Sequence, residues 1–89
     1  MPSIALFAGS AVVSTNASQI GSQACTEVLV QAHVSNTVLL LVGTDSAQTL
    51  QLSAGNAITL PVSNVSQVQA ATSAGSATVN WIAHTMQLR

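Results

Sequence analysis

Eighty-nine residues are enough for one domain and leave no room for a second core. Only Glu27, Asp45 and Arg89 carry formal charge, 3% of the chain against about a quarter in soluble domains, while 48% of residues are hydrophobic. One arginine cannot displace the counterions of a nucleic acid or hold an anionic membrane surface, and the aliphatic run 38–42 falls far short of the roughly 20 residues of a membrane span.

A domain this small is marginal alone and leans on disulfides, metal or association. Cys25 is the only cysteine, so no intrachain disulfide forms. The polar surface is built from neutral Ser, Thr, Asn and Gln, which are cheaper to desolvate than Lys or Glu. That composition suits a protein that works against neighbours.

In chain order, residues 1–8 (Met1-Pro2-Ser3-Ile4-Ala5-Leu6-Phe7-Ala8) are mildly apolar, lack the basic start of an export signal and run into strand-like sequence. Residues 1–18 read as an N-terminal arm and first strand, and 19–89 as the sandwich, within a single domain. Strands are predicted near 11–15, 26–34, 38–42, 49–52, 57–62, 67–71 and 77–84, spaced and punctuated as in an all-β sandwich or barrel. The polar stretch 16–23 reads as a loop or extended arm.

Alternation assigns faces. Val28, Val30, Ala32 and Val34 share one face of their strand, with Glu27, Leu29, Gln31 and His33 on the other. In 38–42, Val38, Leu40 and Val42 alternate with Leu39 and Leu41, so both faces are apolar. One sandwich layer covers only one of them. Asn36-Thr37 breaks one strand before the next, and Ser53-Ala54-Gly55-Asn56 reads as a hairpin with Gly55 at positive φ. The fold class expected is an antiparallel β-sandwich or barrel-like jelly roll of about seven short strands.

Groups able to do chemistry are sparse. Glu27 and Asp45 could approach one another at one end of the sheet but read as surface acids. A zinc site needs three or four ligands in tetrahedral reach; His33, His84, Glu27 and Cys25 offer no short-spaced pair to anchor one. Cys25 has no neighbour that would activate it as a nucleophile, and reads as a small buried hydrophobe. No Gly-x-Ser-x-Gly elbow or glycine-rich phosphate loop occurs. Trp81, alternating with Val79 and Ala83, reads as a core anchor. The expectation is a non-enzyme with no metal and no cofactor.

Several segments together resemble a family of small tailed-bacteriophage virion proteins. They are Gln19-Ile20-Gly21-Ser22, the Cys-containing strand Cys25-Thr26-Glu27-Val28-Leu29-Val30-Gln31-Ala32, the Asn36-Thr37 turn and Leu41-Val42-Gly43. Leu52-Ser53-Ala54-Gly55-Asn56-Ala57-Ile58-Thr59-Leu60-Pro61-Val62 follows, then 65–70 and the closing Val79-Asn80-Trp81-Ile82-Ala83. The resemblance covers roughly residues 19 to 84. The chain departs from the pattern at Val68-Gln69-Ala70, where an aromatic-containing strand is usual, and in its lack of charge.

The resemblance implies a β-sandwich carried on capsids, head fibres or tails, commonly as a trimer, with no catalytic residues. The expected function is a capsid decoration (cement) protein, made in the host cytoplasm and placed on the outside of the virion. It would bind copies of itself as a homotrimer and the major capsid protein, with neither nucleic acid nor membrane as partner. The alternative is a host-surface or glycan-binding module of a head or tail fibre. Leu39 and Leu41 are the expected oligomer or capsid contacts, and Ile4, Leu6 and Phe7 of the arm are candidates for strand addition to a neighbour.

Overall fold

The structure, a computed structural model, describes residues 3–44 and 47–87, and the side chains of 5–44 and 47–85. Asp45 and Arg89 lie outside the described residues, as does the side chain of Ile4.

Eight strands follow one another: β1 (Ser3–Val13), β2 (Ser18–Gln19), β3 (Glu27–Ala32), β4 (Leu40–Gly43), β5 (Leu50–Leu52), β6 (Ala57–Leu60), β7 (Gln69–Thr72) and β8 (Ala77–Gln87). They form two antiparallel four-stranded sheets, ordered β1-β8-β3-β6 and β2-β7-β4-β5. Pairings β1–β8, β2–β7, β3–β6 and β4–β5 nest inside one another. β3–β8 and β4–β7 then join them side by side. A nested antiparallel ribbon rolled into two sheets is the jelly roll. The chain is thus an all-β sandwich, as the strand spacing predicts.

The inner faces follow the alternation. Val28, Val30 and Ala32 of β3, Leu40 and Val42 of β4 and Val79, Trp81 and Ala83 of β8 are buried together, joined by Val13, Val65 and Val68. Thr72 is the one buried polar side chain among the described residues, and its hydroxyl donates to the Gly75 carbonyl (2.9 Å).

Trp81 is the core's largest piece. It stands opposite Gly9 in the β1–β8 ladder, and its indole lies against both Gly9 and Gly21. A Cβ on Gly9 would come within 2.6 Å of the ring, and one on Gly21 within 2.8 Å. The buried indole N–H donates to the Ile20 carbonyl (3.1 Å). Glycine in a strand interior marks close approach of this kind.

Several expectations are corrected. The segment read as an arm is, from Ser3 to Val13, one continuous strand paired residue for residue with β8. Residues 18–19 of the supposed loop form β2, and the neighbouring Ile20 is buried. Gly55 does take a positive φ (+85°), but the turn it serves is no hairpin: β5 and β6 belong to different sheets, so residues 53–56 cross between layers. Gln67 is not in a strand. It closes a short 3-10 turn, Val65–Gln67, its side chain accepting from the backbone N–H of Ser63 and Asn64 (2.7 and 3.1 Å). Asn36 ends the β3 segment by acting as a strand substitute, its amide exchanging two hydrogen bonds (2.9 Å each) with the backbone of Thr78.

Candidate interaction surface

The ladder register fixes what sheet β1-β8-β3-β6 presents to the outside. Even-numbered residues of β1 from Leu6 on and of β8 up to His84, and odd-numbered residues of β3, point away from the core. Across the sheet they fall into rows: Leu6–His84–Glu27, Ala8–Ile82–Leu29–Thr59, Ser10–Asn80–Gln31–Ala57 and Val12–Thr78. Ile82 and Leu29 sit side by side at the centre, 51% and 41% exposed, with Leu6 and Val12 more than 70% exposed on the edge strand. A shallow groove of about 300 Å³ crosses this face between Ala8 and Ala57.

The only ionisable side chains in these rows are Glu27 and His84, cross-strand neighbours with Oε1 and Nε2 3.5 Å apart and both substantially exposed. At that exposure the pair contributes little to stability. Single apolar side chains are ordinary on protein surfaces, whereas several contiguous ones mark a contact site.

The other outer face is narrower. Leu39 is 38% exposed and Leu41 half-buried beside Gln51 and Ala71 of the flanking strands. Leu6 is exposed, whereas Phe7 turns inward and, partly buried, packs on the core. Ile4 pairs through its backbone with Met86. The Ile82–Leu29–Ala8 row is absent from the sequence-based expectations because three separate strands supply one residue each. Only the register brings them together.

The residues weighed for chemistry do not converge. His33 lies beyond the opposite end of β3 from Glu27, where its Nδ1 accepts the Ser35 backbone N–H (3.0 Å). Cys25 is buried, its thiol directed at the Val62 carbonyl (3.3 Å). Among the described residues no three His, Cys, Asp or Glu side chains come together to hold a metal ion. None of the three described grooves is lined by an ionisable side chain.

Burial pushes the Cys25 thiol above its ordinary value of 9.0. The folded chain therefore keeps the proton after the unfolded chain has lost it. Stability contributed by the neutral thiol is fully present below that ordinary value and declines as pH rises from it toward the folded one. With no tyrosine and no lysine in the chain, no other side chain titrates in that window. The thermal midpoint is expected to fall as pH rises past 9.0 in the wild type and to stay flatter in Cys25→Ala, as differential scanning calorimetry at stepped pH would read.

No protein-family description, curated protein or solved structure matches this chain.

Proposed function

We propose that this chain is a capsid-decorating (cement) protein of a tailed bacteriophage, acting as a homo-oligomer that bridges major capsid subunits. The observation that carries the reading is the outer face centred on Ile82 and Leu29: apolar, bordered by neutral Ser10, Asn80 and Gln31, with one acid–imidazole pair at its end. Such a face loses little on desolvation and gains by burying carbon, at about 25 cal/mol per Å². The resemblance of residues 19 to 84 to phage virion proteins supplies the particular lattice. The jelly roll is compatible with this reading but does not select it, because viral shell proteins, lectins and cupins share the architecture.

The mechanism is mass action. A ligand that binds only the assembled shell stabilises it by RT ln(1 + [L]/Kd) at each site, and the effect multiplies over many sites. Undecorated capsids of the encoding phage, mixed with purified protein, should bind it saturably and disrupt at a higher temperature. Cryo-electron microscopy of those particles would show one density per oligomer on the outer surface. Binding to bacteria and not to capsids would transfer the assignment to a host-surface module. The aromatic residues lend that reading no support, since Trp81 is buried and Phe7 packs on the core.

A further inference from the structure

The four sheet edges are unequal. β2, β5 and β6 are two, three and four residues long, and β6 is followed by Pro61. Short edges and prolines are how sheet proteins prevent unwanted pairing. β1 has none of these devices. It runs eleven residues, pairs one-to-one with β8 without a bulge, and contains neither a charged residue nor a proline. Among the described residues its only backbone hydrogen bonds are to β8, leaving the other side of the strand open.

We infer that this open edge pairs with β1 of a second copy, antiparallel and two-fold symmetric about Gly9. The parity comes from Ser14, one residue beyond β1, whose carbonyl accepts from the Thr72 backbone N–H (2.9 Å) and so faces away from β8. Stepping back by twos, the backbone groups of Val12, Ser10, Ala8 and Leu6 face the same way. Centring on Gly9 bonds Leu6 to Val12 of the second copy and Ala8 to Ser10, each twice by symmetry. It joins the two most exposed apolar side chains of the strand and sets Phe7 opposite Ala11 on the inner face, large against small. It also uses residues 5–13 without calling on Ser14, which is already engaged.

The occupant is a copy because such pairing closes. Once β1 meets β1, the joined sheet ends at β6 on both sides and the long edge is gone, whereas pairing with an unrelated strand would leave that strand's own edge open. The outer faces then merge into one surface carrying two Ile82–Leu29 rows. The inference deepens the assembly reading and rests on it only in taking the partner to be this same chain.

The test is site-specific oxidation in a Cys25→Ala background. Leu6→Cys with Val12→Cys places thiols on Cα positions about 5.5 Å apart across the junction, within disulfide reach. The same two positions in one chain are about 20 Å apart. Most chains should appear as covalent dimers on a non-reducing gel, while Leu6→Cys with Ser10→Cys, which requires a two-residue shift, should remain mostly monomeric. In the cysteine-unmodified protein, Leu6→Lys with Val12→Lys should convert dimers to monomers in sedimentation while circular dichroism stays unchanged. Equal cross-linking of the two cysteine pairs, or dimers that survive both lysines, overturns the inference. So does a trimer that fails to cross-link, though that result leaves the decoration reading standing. Cross-linked dimers that ignore capsids would overturn the decoration reading alone.

Discussion

Trp81→Ala is expected to lower the thermal midpoint by roughly 15–30 °C. Removing a buried aromatic typically costs about 3–5 kcal/mol, and in a domain of this size each kcal/mol moves the midpoint by about 4–8 °C. Two local features place Trp81 at the costly end. Its indole N–H satisfies the Ile20 carbonyl, which would be left without that donor. Its ring also fills space that Gly9 and Gly21 leave open on both sides, and backbone glycines cannot move in to close the hole. The converse change tests the same geometry. Gly9→Ala puts a Cβ 2.6 Å from the ring and should cost about 1–3 kcal/mol by overpacking. In a Trp81→Leu background that penalty should largely vanish, because the atoms it strikes are gone. A double-mutant cycle by urea denaturation reads the coupling directly; additive costs would show that Trp81 and Gly9 do not share the space described.

On the proposed function, Ile82→Lys should weaken capsid attachment about 100-fold while shifting the thermal midpoint by no more than about 2 °C. Ile82 is half exposed and points away from the core, so a lysine there is solvated in the isolated subunit. In an assembled particle the same ammonium would be stripped of water beside Leu29 and Ala8, with no carboxylate in its own row. Interface centres commonly lose a few kcal/mol on such changes, and about 2.7 kcal/mol is 100-fold in Kd. Leu39→Lys, on the narrower outer face, serves as the comparison. A larger loss from Leu39→Lys than from Ile82→Lys would move the contact to the other sheet.

How much of this could be read from the sequence depended on whether the signal was local. Val28, Val30 and Ala32, and Leu40 with Val42, announce their burial by period-two alternation. The Gly55 turn is equally visible, because only a residue free of Cβ strain sits comfortably at a φ of +85°. Which sheet the flanking strands join is not a local property, and residues 53–56 for that reason read as a hairpin. β1 was harder to see. Its inner positions Phe7, Gly9, Ala11 and Val13 include two small residues that blur the alternation, and one of them, Gly9, leaves the space that Trp81 fills from the far end of the chain. The outer row of Ala8, Ile82 and Leu29 has no signature along the chain at all. Gln67 reads as a strand residue because a side chain that caps backbone N–H groups looks, in sequence, like any other polar residue of an alternating run.

On the proposed reading the chain is built to be covered, on a face and along an edge. Sedimentation velocity of the wild-type protein from about 1 to 100 μM, near neutral pH and at moderate salt, tests it most directly. An associated species should appear whose weight fraction rises with concentration and persists in high salt, as apolar burial and backbone pairing require and ion pairing would not. A well-folded single subunit across the whole range would contradict it.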